Sequence, residues 1–155
     1  MNVVIDQIDA DGWADWRHVR IRALTENPEA FAGSVTLWSG TQDTEANWRA
    51  RLSEPGAYFL AYENDAPVGM VAASSSGPGV DLISMWVAPE DRHRGIGGRL
   101  IAEVVEWAGL RPVSLRVMNG NEAAIAVYES RGFVLDPADA DGEGCRAMNL
   151  VRSAL

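Results

Sequence analysis

The chain has 155 residues, 47% of them hydrophobic, with 13 basic side chains against 22 acidic ones and a net charge of −9. That supplies one sizeable core rather than two domains, and the acidic balance disfavours a nucleic-acid binder, which needs a basic footprint. All 13 basic residues are arginine, which excludes any phosphate loop, Schiff base or kinase-type site built on lysine.

The single cysteine, Cys145, excludes an internal disulfide and a cysteine-based zinc cage. With His18 and His93 as the only histidines, a metal centre would have to rest largely on carboxylates, and none is expected. Residues 1–10 contain Asp6 and Asp9 but no arginine, unlike the charged start of a secretory signal. No uncharged apolar stretch approaches the ~20 residues of a membrane helix. The expectation is a soluble, cytoplasmic, single domain over residues 1–155, with neither nucleic acid nor membrane as partner.

In chain order, the β-branched run Val3–Ile8 predicts a first strand. Asp11 or Gly12 then caps a helix over Trp13–Glu26, whose Trp13, Trp16, Val19 and Ala23 recur at helical spacing. Asn27-Pro28 stops it, and residues 28–40 read as a loop or short helix carrying Phe31 and Trp38. Thr44–Leu52 is a second helix. Ala57–Glu63 alternates, Asn64-Asp65 turns the chain, and Pro67–Ser75 returns antiparallel. Val80–Ala88 is apolar on both faces, as a covered central strand would be. Ile96–Ala108 carries a broad apolar helical stripe. Pro112–Val117 is a strand, Asn121–Arg131 a helix ended by Gly132, and Phe133–Leu135 and Cys145–Val151 are two last strands around an acidic loop. This order indicates an α/β domain on a largely antiparallel sheet.

The chemistry concentrates between the central strand and the strongest helix. Arg92-His93-Arg94-Gly95-Ile96-Gly97-Gly98 brings glycines, a helix N-terminus and, with Arg99, three of the chain's arginines into eight residues. Inward-turned amides at such a terminus cradle phosphates. The dinucleotide fingerprint fails, because Leu100 stands at its third glycine position. An ordinary glycine turn before a helix is the plain alternative.

A second segment, Leu115-Arg116-Val117-Met118-Asn119-Gly120-Asn121-Glu122-Ala123-Ala124, leads into Tyr128-Glu129-Ser130-Arg131-Gly132-Phe133, about 25 residues beyond the first. Together with Val87-Ala88-Pro89-Glu90, the two segments resemble the GNAT family of acyl-CoA-dependent N-acetyltransferases, over roughly residues 3–151. The resemblance implies a mixed, mostly antiparallel sheet of about seven strands flanked by about four helices.

It also implies acetyl-CoA as co-substrate. The amides of Arg92, His93, Arg94, Gly95, Ile96 and Gly97, with Gly98, would bind the coenzyme A pyrophosphate. The splayed strand Met85, Trp86 and Val87 would bind the pantetheine arm and polarise the thioester carbonyl. Asn121 would touch the cofactor, and Tyr128 would protonate the departing thiolate. Asn121 also reads as a helix N-cap, and Tyr128 as a core aromatic.

The base is least defined. Some relatives place a glutamate where this chain has Arg116; others place an acid fourteen residues before the loop glycine, here Asp81. A water relay is the alternative, and a turn residue is Asp81's plain reading. Phe31 and Trp38 are the candidate acceptor contacts. Residues 136–143 hold four carboxylates, which would favour a small cationic amine, unless that loop is a solvated turn. The acceptor is read as a small-molecule amine, with a protein N-terminus or lysine as rival, and a non-catalytic acyl-CoA-binding module as the rival of another class. A homodimer is compatible with all three.

Overall fold

A computed structural model of the chain describes residues 2–26, 40–137 and 145–152. Its strands are β1 (Val3–Ile8), β2 (Gly56–Glu63), β3 (Ala66–Ser74), β4 (Val80–Val87), β5 (Val113–Met118), β6 (Phe133–Leu135) and β7 (Cys145–Leu150). The α-helices among the described residues are α1 (Trp13–Glu26), α2 (Glu45–Arg51), α3 (Ile96–Ala108) and α4 (Glu122–Ser130). Each expected strand and helix that falls on the described residues is present to within a residue or two.

Two helix starts differ from expectation. Asp9, not Asp11 or Gly12, accepts the Asp11 amide and opens a single 3-10 turn, Ala10–Gly12, that runs directly into α1. Thr44 lies outside α2 as its N-cap, its hydroxyl accepting the Asn47 amide. The segment carrying Phe31 and Trp38 falls outside the described residues, as do residues 138–144 of the acidic loop.

The seven strands form one sheet ordered β1-β2-β3-β4-β5-β7-β6. Only β4 and β5 run parallel, joined by α3 as a crossover. The β2–β3 hairpin turns on Asn64 and Asp65, whose φ values of 51° and 66° are the left-handed pair of a tight hairpin turn.

Helices cover both faces of the sheet. The α3 and α4 side buries Val71, Leu82, Leu100, Ile101, Val104, Leu115, Phe133 and Met148. The α1 and α2 side buries Trp16, Val19, Trp48, Leu60, Met70 and Trp86, with Trp16 edge-on to Tyr58 at 5.5 Å. Each fully buried Leu or Ile contributes about 1.5–3 kcal/mol. The stripe Ile96, Leu100, Ile101 and Val104 therefore clamps α3 across the sheet and fixes where its first turn lies.

Candidate active site

The parallel pair β4 and β5 is a fork. Its ladder holds only Val80↔Val113 and Asp81↔Ser114. Beyond that point β5 continues against β7 through Met118, and β4 continues against β3 through Val87. The facing edges of Leu82–Val87 and Leu115–Met118 therefore have no register partner across the gap among the described residues. Unpaired strand edges are rows of donors and acceptors that an extended ligand can complete. The fork opens at the C-terminal ends of its parallel strands, where α/β sheets hold their ligands.

A bulge tunes the β4 arm. Met70 pairs with Trp86 and Ala72 with Ile83, so three residue steps on β4 face two on β3. Ser84 sits in this bulge at φ 58°, a left-handed conformation uncommon outside glycine. The extra residue reverses the strand's alternation: Val80 and Leu82 face α3, and after the bulge Met85 and Val87 do so. Trp86 turns to the α1 side. A serine carries no local sequence signal of positive φ, so nothing in the sequence around Ser84 marks this bulge.

The glycine loop follows β4 directly. Gly95 caps α3 at φ 81° with no side-chain acceptor, and the first bond inside the helix is Arg99 N–H to Gly95 O at 3.1 Å. The amides of Ile96, Gly97 and Gly98 are thus the helix's orphan donors. His93 is exposed, also at positive φ (63°).

The arginines do not behave as the cluster in the sequence suggested. Arg92 turns away from the loop: its Nε donates to Val87 O at 2.9 Å and its Nη2 to Glu26 Oε1 at 2.6 Å. The same Glu26 oxygen accepts Trp86 Nε1 at 2.8 Å. Burial pushes the Glu26 carboxyl up, but the hydrogen bonds from Arg92 and Trp86 hold it below its ordinary value. Arg94 pairs with Glu63, and with Asp91 at 2.6 Å. Arg99 donates to Val3 O at 3.0 Å. These contacts pin the loop to β1, β2 and the end of α1.

On the other arm, α4 begins at Asn121, whose side chain accepts the Ala124 amide at 3.3 Å, so the capping reading holds. Two residues from the helix end, Tyr128 is buried beside Phe133 with ring centroids 6.0 Å apart. Burial pushes its phenol up to about 12. The last turn of α4 packs against the first turn of α3. A Cβ on Gly97 would meet Val127 Cγ1 at 3.9 Å, and one on Gly98 would meet the Arg131 guanidinium at 2.6 Å. The structure thus gathers Met85, Val87, Gly97, Gly98 and α4 around the open end of the fork.

Asp81 lies at the other end. It pairs with Ser114 where β4 and β5 still touch, is exposed, and accepts the Ser114 hydroxyl at 3.1 Å. Four residue steps along the strand, roughly 13 Å of extended chain, separate it from Met85. Arg116 is exposed and alternates with the buried Leu115 and Val117, so it lies on the face opposite α3, with Nη2 3.4 Å from Cys145 O. Cys145 makes a sulfur contact to Met118 Sδ at 3.4 Å on the same strand pair.

Among the described residues no cluster of His, Cys, Asp or Glu is arranged to hold a metal, and no helix is long and apolar enough to cross a membrane.

Comparison with known proteins agrees with this geometry. The model of the acetyltransferase (GNAT) family matches residues 14–133. A mycothiol acetyltransferase from Thermobispora bispora is 31% identical over 128 residues, 76% of this chain and 41% of that protein. The chain therefore spans about two-fifths of the length of that relative. The N-alpha-acetyltransferase RimI of Mycobacterium tuberculosis is 40% identical over 53 residues, 34% of each chain. The crystal structure of PaiA N-acetyltransferase from Thermoplasma acidophilum in complex with coenzyme A superposes with a TM-score of 0.77 at 16% identity, covering 97% of this chain and 99% of that one. With the fork, the glycine turn and the family model coinciding on the same residues, the chain belongs to the GNAT acetyltransferase family.

Proposed function

We propose that this chain moves an acetyl group from acetyl-CoA to a primary amine of a small molecule, by direct transfer within a ternary complex. The observation that carries the reading is the fork: two parallel strands that part after Asp81 and Ser114, with the uncapped first turn of α3 at their open end. In this reading the amides of Arg92–Gly98 hold the donor's diphosphate, the free edge of Met85–Val87 holds its pantetheine arm, and Asn121 adds a contact from α4. Acetyl-CoA supplies an acetyl group already activated as a thioester.

The residues divide the remaining work. A backbone amide of the β4 edge stabilises the charge that develops on the carbonyl oxygen. The amine nitrogen forms a bond to the acetyl carbon, the carbon–sulfur bond breaks, and the amine gives up one proton. Tyr128 faces the leaving sulfur as a donor. With its phenol pushed up to about 12 it stays protonated throughout the working range. It is then a weaker acid than a thiol of pKa about 8.5, so its contribution is a hydrogen bond to the developing thiolate rather than outright proton loss. Asp81 takes the amine's proton through water, because the length of strand between it and Met85 exceeds direct reach.

Phe31, Trp38 and the four carboxylates of residues 136–143 are the proposed acceptor contacts. Such contacts attract a cation and offer an apolar wall. The similarity to RimI, confined to about a third of the chain, supports a second reading in which the acceptor is a protein N-terminus.

Thiol release measured with acetyl-CoA and a panel of cationic, neutral and acidic amines and short peptides, at two ionic strengths, tests these readings. Turnover with small cationic amines, falling as salt rises, is the expected result. Turnover confined to peptides selects the second reading. Tight acetyl-CoA binding with no turnover on any acceptor would leave an acyl-CoA-binding module instead.

A further inference from the structure

Arg131 immediately follows α4, three residues after Tyr128. Its side chain turns onto the first turn of α3. A Cβ on Gly98 would stand 2.6 Å from Arg131 Nη2, 2.8 Å from Nε and 3.0 Å from Cζ. The guanidinium therefore occupies space that only a glycine leaves open, with its Nε and Nη2 edge nearest. Among the described residues no carboxylate pairs with it, whereas the arginines in and beside the loop in sequence are engaged: Arg92 with Glu26, Arg94 with Glu63 and Asp91, and Arg99 with the backbone oxygen of Val3.

The electrostatics of that contact are unusual. The N-terminus of a helix carries roughly half a positive charge, so a guanidinium laid against it is repelled. The same two groups become complementary when an anion accepts hydrogen bonds from both. The orphan amides of Ile96, Gly97 and Gly98 supply one side and a planar guanidinium fork the other.

We infer that Arg131 is the side chain that binds the donor's diphosphate, making the enzyme selective for CoA thioesters over thioesters that carry no phosphate. The inference rests on the proposed reading of α3's first turn as the donor site. It goes beyond that reading by assigning the charge to a residue outside the glycine loop. A purely structural role, with Arg131 stabilising the carbonyl end of its own helix, is the competing account.

The test uses the full chain with Arg131→Ala and Arg131→Lys. Affinities for acetyl-CoA and acetyl-dephospho-CoA are read by calorimetry, and kcat/KM is read with S-acetylpantetheine. The expected result for Arg131→Ala is a loss of about tenfold for both CoA forms alike, a shallower salt dependence, and unchanged kcat/KM with S-acetylpantetheine. The melting temperature of the free protein should not fall, and Arg131→Lys should recover part of the affinity.

Wild-type affinity for acetyl-CoA in Arg131→Ala would overturn the inference while leaving the donor site standing. A loss confined to acetyl-CoA would move the contact to the ribose phosphate and overturn the diphosphate assignment. An equal loss with S-acetylpantetheine, or a lowered melting temperature, would make Arg131 structural. Failure of the wild-type protein to bind acetyl-CoA at all would overturn the donor reading and this inference with it.

Discussion

A Cβ added to Gly97 would stand 2.8 Å from Met85 Cε, so the first turn of α3 and the open arm of the fork meet through one glycine and one methionine. The sequence suggested a bare backbone at Gly97 for the sake of a phosphate. The structure adds a second reason, since any side chain there pushes on the strand proposed to hold the pantetheine arm.

Gly97→Val should therefore raise the acetyl-CoA Kd by at least about tenfold while leaving the chain folded. Gly97→Ala should do less, because Met85 Cε is the free end of a flexible side chain. Combining Gly97→Ala with Met85→Ala should be less damaging than the sum of the two, as expected for residues in contact. Calorimetry with each variant checks this. Wild-type affinity in Gly97→Val would remove the first turn of α3 from the donor site.

Tyr128 and Asp81 make separable predictions about pH. Tyr128→Phe should keep acetyl-CoA affinity and lose about 10²-fold in kcat. With the phenol pushed up to about 12 by burial, the wild-type profile should show no alkaline fall due to Tyr128 below about pH 11. Asp81→Asn should lower kcat/KM more at low pH than at high pH, where the amine has already lost its proton. A kcat unchanged in Tyr128→Phe, or a profile unchanged in Asp81→Asn, would take that residue out of the mechanism.

Local signals were legible from the sequence. The apolar stripe of α3, the Asn121 cap, the Asn64-Asp65 turn and the glycine end of α4 all rest on residues within a few positions of one another. What was not legible depends on contacts between distant positions. Arg92 and Arg94 looked like a charge cluster, but their carboxylate partners Glu26 and Glu63 lie 66 and 31 residues away. Arg131 read as the end of a helix, and only the packing of α4 on α3 brings it to Gly98. Phe31 and Trp38, expected at the acceptor side, lie outside the described residues.

Ser84 offers a test of the bulge. Holding a serine in the left-handed region costs on the order of 1 kcal/mol, and a β-branched residue fits there worse. Ser84→Gly should keep both fold and acetyl-CoA affinity. Ser84→Val should lower stability by about 1–2 kcal/mol and weaken acetyl-CoA binding, because Met85 and Val87 owe their facing to that extra residue. Denaturant unfolding and calorimetry on the two variants decide it. A Ser84→Val protein as stable and as tight-binding as the wild type would mean that the strand reaches its phase without strain at Ser84.

Asp43 links α1 to α2, accepting Arg17 Nε at 2.7 Å and Trp48 Nε1 at 2.7 Å. Those two hydrogen bonds, Arg17's first, outweigh the upward push of burial and hold its carboxyl at about 2, against about 3.9 for an unfolded chain. Between those values the unfolded state binds the extra proton, so this stabilisation is fully present above about pH 4 and is lost as pH falls toward 2. Asp43→Asn should lower the melting temperature at neutral pH and should bring the two proteins closer together on acidification, with most of the convergence between about pH 4 and pH 2. Glu26, Glu63 and Glu90, also held below their ordinary values, keep part of the acid loss in both proteins, so the difference between the curves is the diagnostic quantity. Melting temperatures of the two proteins at pH 7, 4, 3 and 2.5 supply it. A constant gap across that range would show that Asp43 joins the helices by shape and hydrogen bonding alone, with no contribution from its charge.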